Sequence, residues 1–252
     1  MQPEKSVWWS IQLKHVNKCL KVQYFKYEDL RIAMLLFKPG EWMFSFDLKS
    51  GYHHVDIAEQ HQKYLGFEWN GSYYVFMVLP FGLACAPYVF TKLLRPLVRF
   101  WRGFGCRVIL YLDDGICAVE CENEAVRVSQ WMRSTLAQAG LVVNEVKSNW
   151  APCQKLQWLG FIIGLQKQGL FVPDHKLLAL RSMLRVALGT KEMSARNIAR
   201  IVGKIISMSP ALGPVARFMT RSLYGMIYSC WRWCDLLKVT SESLQELLFW
   251  EQ

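Results

Sequence analysis

Two adjacent carboxylates set between two short apolar runs constrain this chain more than any other feature. Arg107 to Tyr111 and Gly115 to Val119 read as strands, and Leu112, Asp113 and Asp114 stand between them. Asp-Asp-Gly is turn chemistry, because short polar side chains and glycine accept the tight backbone of a reversal. The segment predicts a hairpin with two carboxylates at its tip. Most such pairs are simply solvated. Here the strand Val108 to Leu112 is apolar enough to be central and buried. Like charges beside a buried sheet repel unless a cation neutralises them. Mg²⁺ is the natural cation for an oxygen-only site that also holds phosphates.

A third carboxylate, Asp47, ends another strand, Glu41 to Leu48, in which Trp42, Phe44 and Phe46 alternate. If the two strands are neighbours, Asp47 and Asp113 converge at one sheet edge. Two Mg²⁺ ions about 3.5–4 Å apart could then bridge the three carboxylates to a triphosphate. Phosphoryl transfer needs mainly positioning and charge neutralisation, which suits such a cluster.

The rest of the chain frames these strands. Asn70-Gly71 between Lys63 to Trp69 and Ser72 to Leu79 predicts a hairpin, since both turn residues must take positive φ. Ala86 to Phe100 reads as a helix with Pro87 tolerated in its first turn, and Glu124 to Ala139 as a helix ended by Gly140. Leu141 to Val146 and Leu156 to Leu165 read as strands. After Pro173 the pattern is helical almost to the end. This order predicts an α+β fold: an antiparallel sheet backed by helices, with a split βαβ middle, followed by a helical module. No internal repeat or low-complexity tract interrupts it.

With 52% hydrophobic residues in 252, eleven Trp, ten Tyr and fourteen Phe, the chain is no disordered segment and can bury a core. Its formal charge of +10 suits a polyanionic partner or simply a basic, soluble surface, and charge alone does not decide between them. The eight cysteines form no CxxC and no zinc-finger spacing, so they read as reduced thiols of an intracellular protein, cytoplasm and nucleus being indistinguishable. The uncharged run Gly71 to Phe90 is broken by Pro80, Gly82 and Pro87, which argues against a membrane span. Met1 to Lys14 is polar and mixed, unlike a secretory signal.

At this point four segments resemble one family. Phe46-Asp47-Leu48-Lys49-Ser50-Gly51-Tyr52-His53-His54-Val55 resembles the first catalytic motif of reverse transcriptases. Leu79-Pro80-Phe81-Gly82-Leu83-Ala84-Cys85-Ala86-Pro87 resembles the second, Tyr111-Leu112-Asp113-Asp114 the YxDD box, and Trp158-Leu159-Gly160-Phe161-Ile162-Ile163 the primer-grip hairpin. Any one is a weak signal; four in order at compatible spacing are specific. Phe90-Thr91-Lys92-Leu93-Leu94 and Ala211-Leu212-Gly213-Pro214-Val215-Ala216-Arg217 look closest to retrotransposons of the DIRS type, with the Ty3 type the near alternative.

The resemblance implies a right-hand polymerase that adds dNTPs to the 3′-hydroxyl of a DNA primer on an RNA template. It implies two Mg²⁺ ions, with Mn²⁺ able to substitute, on Asp47, Asp113, Asp114 and the backbone carbonyl of Leu48. One ion would activate the primer hydroxyl and the other would stabilise departing pyrophosphate. Tyr52 falls where the family keeps an aromatic steric gate against the 2′-hydroxyl. RNA-templated RNA polymerases generally have Asp there and Gly before the Asp pair, so Tyr52 and Leu112 favour DNA synthesis. Phe81 and Gly82 would line the nucleotide pocket, Lys147 would protonate pyrophosphate, and Tyr111, Leu112, Trp158, Leu159 and Gly160 would face primer and template.

From Pro173 to Trp233 ten Lys and Arg face only Asp174 and Glu192. Arg196, Arg200 and Lys204 recur every four residues on one helix face. Such a stripe is usually a solvated face, but its single sign favours phosphates. Ile201-Val202-Gly203-Lys204-Ile205 resembles the family's thumb helix, and Gly203 would admit the minor groove of a hybrid duplex. The expected organisation is partial fingers over 1–40, palm over 41–163 with a fingers insertion about 55–79, thumb over 164–230, and the start of a connection over 231–252. An RNase H domain would follow in a full-length element. Upstream, Trp8 and Gln12 stand where the family has Arg and Asp; Lys5, Lys14 and Lys18 could partly substitute. This leaves open a catalytically inactive, nucleic-acid-binding remnant as the alternative function, and an RNA-templated RNA polymerase as a third.

Overall fold

The computed structural model describes residues 13–252, so Lys5, Trp8 and Gln12 lie outside the described residues. Two compact units divide the chain, the first ending at Gln154 and the second running Lys155–Gln252.

The first unit contains α1 (Lys14–Cys19), α2 (Leu30–Leu36), β1 (Trp42–Asp47), a 3-10 turn (Gly51–His54), α3 (Glu59–Gln62), β2 (Gly66–Trp69) and β3 (Ser72–Val75). It continues with α4 (Ala86–Gly103), β4 (Arg107–Tyr111), β5 (Asp114–Val119), α5 (Glu122–Gln138) and β6 (Asn149–Cys153). Four strands form one antiparallel sheet in the order β4-β5-β1-β6. β1 and β4 flank β5 with α4 between them in sequence, and β5 and β6 flank β1 with α5 between them. These are two interlocked split βαβ units.

Strand periodicity sorts the side chains of β1. Phe44, Phe46 and Leu48 bury against Phe90, Leu94, Val98 and Trp101 of α4 and Met132 and Leu136 of α5. Each such side chain contributes about 1.5–3 kcal/mol by leaving water. The alternate residues Ser45 and Asp47 therefore point to the opposite face. The Trp101 indole donates to Thr135 Oγ1 at 2.9 Å and joins the two helices.

One local expectation in this unit needs correction. Leu141 to Val146 forms no strand; a single bridge pairs Val143 with Leu48 before the chain turns. The next strand is β6, which contains Pro152 and sits at the sheet edge, where a missing N–H is tolerated. Between Val55 and Leu79 the chain leaves the sheet and returns. Ile57 N–H donates to Met77 O at 2.7 Å and Leu79 N–H to Val55 O at 2.8 Å, closing the base. The β2–β3 hairpin caps the excursion with Asn70 at φ 49° and Gly71 at φ 75°.

The second unit begins with a three-stranded sheet, β7 (Lys155–Trp158), β8 (Phe161–Gly164) and β9 (Gly169–Phe171). It continues through α6 (Asp174–Leu188), β10 (Glu192–Ser194), α7 (Ala195–Ser207), α8 (Ser209–Leu212), α9 (Val215–Phe218), α10 (Arg221–Tyr228), β11 (Leu236–Lys238) and α11 (Ser241–Glu251). Leu180, Leu184, Ile198, Ile205, Leu223 and Leu247 form its core. The segment beyond Pro173 is not helical throughout, because β10 pairs with β11. Buried Glu246 of α11 accepts the N–H groups of Ser222 and Leu223 at 2.8 and 3.0 Å, satisfying the start of α10. Among the described residues no helix is long and apolar enough to cross a membrane.

Candidate active site

Asp47 and Asp114 are cross-strand partners in the β1–β5 ladder. Partners in register share a face, with Cβ atoms about 4.5–5.5 Å apart. Asp113 sits in the two-residue turn Leu112-Asp113 that joins Tyr111 to Asp114. Leu112 takes φ 56°, a left-handed conformation that costs a branched side chain about 1–3 kcal/mol. The Leu48 N–H donates to the Asp113 carbonyl at 2.9 Å and ties the turn to the end of β1.

Glycines make room for this corner. A Cβ on Gly51 would lie 2.8 Å from Phe90 Cζ and 3.3 Å from Asp113 Cβ. One on Gly115 would lie 2.2 Å from Phe46 Cζ. The turn after Leu141 braces Asp47: Asn144 N–H donates to Asp47 O at 2.8 Å, and Asp47 N–H donates to Ser148 Oγ at 3.0 Å. Ser148 Oγ in turn donates to Asn144 O at 2.8 Å. Lys147 stands in the same turn with Nζ 3.7 Å from Asp47 Oδ2, its side chain 66% exposed against 11% for Asp47.

The electrostatics follow from burial. Asp114 is pushed up to about 6, first by desolvation, then by the charges of Asp113 and Asp47 and a hydrogen bond with Asp47; Lys147 opposes this. Asp113 is raised too, by desolvation first and by Asp47, with a backbone hydrogen bond and Lys147 pulling the other way. At the far end of the same sheet buried Glu41 has its own cation in Arg107. A paired cation thus neutralises one end, while at the other a half-solvated lysine is set against three carboxylates.

Among the described residues no group of three His, Cys, Asp or Glu is arranged to hold a metal ion by itself. Mg²⁺ ordinarily takes one or two carboxylates and completes its shell with water and substrate phosphates. The hydrogen-bonded pair Asp47 and Asp114, all-oxygen and short of positive charge, fits that requirement.

Tyr52 lies in the 3-10 turn beside this corner, half-buried, its ring 5.1 Å from Phe81 and 5.5 Å from Phe90. Its hydroxyl is pushed up to about 12 by burial, then by Tyr27, Asp113 and Tyr111. The Tyr111 ring packs 4.8 Å from Tyr27. Gly82 takes φ 89°. Asn17 of α1 spans the loop, donating from Nδ2 to Gly82 O at 2.9 Å and accepting the Ala84 N–H at 2.8 Å. In the second unit Leu159 and Gly160 form the β7–β8 turn with φ 44° and 73°. Trp158 is buried there with its indole N–H lacking an acceptor among the described residues. Arg196, Arg200 and Gly203 lie on the exposed face of α7 with Lys204 half-buried beside them, opposite Ile198, Ile201, Val202 and Ile205.

The model of the reverse transcriptase (RNA-dependent DNA polymerase) family matches residues 8–163. The chain belongs to the reverse transcriptase family. A relative with 33% identity over 158 residues is the retrovirus-related Pol polyprotein from transposon gypsy of Drosophila melanogaster, covering 62% of this chain and 15% of the polyprotein. Over this stretch the chain is similar to a retrotransposon polyprotein. The foamy viral protease-reverse transcriptase in complex with double-stranded DNA matches with TM-score 0.76 and 21% identity over 95% of this chain and 39% of that one. The same viral protein with an RNA/DNA hybrid gives TM-score 0.73 and 20% identity over 94% and 30%. These likenesses establish the right-hand α+β polymerase fold. The chain spans well under half of each of these proteins.

Reading the sequence of this reverse transcriptase domain missed Asn17, Asn144 and Ser148 as supports of the site. Asn17 acts 65 residues away in sequence, and no local pattern marks such a pairing. Gly51 and Gly115 were visible inside the motifs, but their clearance comes from a ring on another element.

Proposed function

We propose that this domain carries out RNA-directed DNA synthesis, joining dNTPs to a primer 3′-hydroxyl. The observation that carries the reading is the carboxylate corner: Asp47 and Asp114 in register and Asp113 at the adjoining turn, with Asp113 and Asp114 both raised by burial and by the neighbouring carboxylates. Asp47, Asp113, Asp114 and the Leu48 carbonyl would hold two Mg²⁺, or Mn²⁺ in their place. When bound, the ions would supply the charge that activates the primer hydroxyl and stabilises the departing pyrophosphate.

The protein groups have separate tasks. Asn144 and Ser148 fix the backbone of Asp47, so its carboxylate enters the reaction without rearrangement. Lys147 is exposed beside Asp47, placed to give a proton to pyrophosphate. Tyr52, held by Phe81 and Phe90, is the wall against a 2′-hydroxyl. Tyr111, Leu112, Trp158, Leu159 and Gly160 are assigned to primer and template, and Arg196, Arg200, Gly203 and Lys204 to the duplex backbone. The foamy viral proteins that share the fold were seen with double-stranded DNA and an RNA/DNA hybrid, which supports an RNA template with a DNA primer here. The polyprotein relatives support further domains in the full-length product, and an RNase H domain is the one this reading adds. Within retrotransposons, Phe90–Leu94 and Ala211–Arg217 favour the DIRS type, and similarity to gypsy favours the Ty3 type.

The test is primer extension with dNTPs and Mg²⁺ on an RNA template. The wild type should extend, and Asp113→Asn with Asp114→Asn should lose about 10³-fold or more of the rate. Duplex binding without extension by the wild type would instead leave a nucleic-acid-binding remnant. Tyr52→Ala should reduce discrimination against rNTPs by at least about tenfold. Preference for rNTPs by the wild type would make the enzyme an RNA polymerase.

A further inference from the structure

Behind the loop that carries Phe81, the first unit holds a half-open cleft of about 680 Å³. Val16 of α1 and Leu20 just beyond its end form one wall, and Ile57, Leu65, Leu79 and Leu83 form the others. Its size falls in the range of about 300–1,000 Å³ typical of small-molecule sites. Among the described residues no Lys or Arg lines it, Asp56 is the one acid that does, and His15 and His61 are its other titratable side chains besides Tyr64 and two cysteines. A nucleotide or nucleic-acid phosphate finds no counter-charge there, so the cavity is chemically distinct from the carboxylate corner. What its walls can stabilise is apolar surface withdrawn from water.

The cavity is wired to the candidate nucleotide loop. Leu65, Leu79 and Leu83 belong to the cluster on which Tyr52 and Val55 pack. The α1 wall buries none of its own six residues. It is fastened through Asn17 to Gly82 O and Ala84 N–H. A molecule that parts α1 from Leu83 strains that fastening, and Gly82 adjoins Phe81, whose ring meets Tyr52 at 5.1 Å.

We propose that this cavity binds an uncharged, apolar small molecule, and that its occupancy shifts the Gly82–Ala84 loop through Asn17. Binding is independent of the polymerase reading; the consequence for nucleotide selection rests on it. The probe is N-phenyl-1-naphthylamine, an uncharged fluorophore that brightens in apolar surroundings. The full chain should bind it saturably at one site. Ala58→Trp and Cys19→Trp, each placing an indole into the cavity from an exposed position, should weaken binding by at least about tenfold with the thermal midpoint kept. The amide resonances of Gly82 and Ala84 should move with saturation in the wild type and in an Asp113→Asn, Asp114→Asn protein alike. Non-saturable binding, or equal binding by both Trp variants, overturns the site. Saturable binding with still amides overturns the coupling. Binding seen only after residues 1–12 are removed would make that segment the occupant and overturn the assignment. None of these readouts needs catalysis, so a protein that fails to copy RNA leaves the test intact.

Discussion

Two pairs of glycines, one pair in each unit, answer to different masters. In the first unit Gly51 and Gly115 are demanded from inside, because a Cβ at either position would drive into Phe90 or Phe46. In the second, Gly203 and Gly225 stand within helices with nothing inside 4 Å of where a Cβ would be. A residue explained by its own neighbours reports on the fold. A residue that costs stability and touches nothing is one that the fold of its own unit does not explain. The carboxylates combine both: the backbone around them is fully explained, while their charges are opposed by burial and by each other.

The sharpest test of the internal half is Gly115→Ala. The Phe46 ring cannot easily retreat: it stacks on Trp150 at 5.7 Å and 7° and meets Trp101 edge-on at 5.9 Å. Overpacking of this kind costs about 1–3 kcal/mol, occasionally more, and the contact at 2.2 Å argues for the upper end. The denaturant midpoint should fall accordingly, and Phe46→Leu in the same chain should recover part of the loss. An unchanged midpoint would show that the ring moves freely and would dissolve the distinction between the two sets of glycines.

The charge half is tested by pH without metal. Asp114 holds its proton to about pH 6 in the folded chain, whereas an unfolded aspartate releases it near its ordinary value of 3.8. Between these the folded state binds more protons, so stability contributed by the group is complete below the unfolded value and is lost as pH rises through the folded one. Asp113 shifts in the same direction. In EDTA the thermal midpoint should therefore decline from pH 4 to pH 7. Asp114→Asn should flatten the decline and raise the midpoint at pH 7 by a few degrees. Mg²⁺ should stabilise the wild type more than this variant. A flat profile in the wild type would mean that solvent already screens the corner.

The sequence makes the first unit's frame visible because its signals are local. Alternating Trp42, Phe44 and Phe46 mark β1, Asn70-Gly71 marks a hairpin, and Asp113 and Asp114 announce the carboxylate turn. What escapes is structure made by distant partners. Leu141 to Val146 has the apolar look of a strand, yet its backbone is spent on Asp47 and Lys49: Asn144 N–H goes to Asp47 O, and Val142 O accepts from Lys49 at 2.8 Å. β6 is hidden by Pro152, which only the sheet order reveals to be at an edge. β10 and β11 are three residues each and lie more than forty apart, too short for periodicity to show. Of the site, the carboxylates, Tyr52 and Phe81 are legible in motifs. The Asn17 clamp and the left-handed Leu112 are not, since each depends on what the fold brings beside it.

The smallest expected effect is the most informative about the second unit. Gly203 lies on the exposed face of α7, between Arg200 and Lys204, with the buried stripe Ile198, Ile201, Val202 and Ile205 on the other side. Glycine in an exposed helix interior costs about 0.5–1 kcal/mol relative to alanine, because it loses more backbone freedom on folding. No contact inside the unit offsets that cost, since an added methyl would meet nothing. Gly203→Ala should therefore stabilise the isolated protein by about that amount. If the helix meets the shallow minor groove of a hybrid duplex, the same methyl stands where sugar edges must come close, and affinity for an RNA/DNA duplex should fall. Gly225→Ala, equally open, is the control: it should stabilise without weakening binding. A gain in stability with unaltered duplex affinity at Gly203 would leave that glycine unexplained by nucleic acid. The basic stripe beside it would then be an ordinary solvated face.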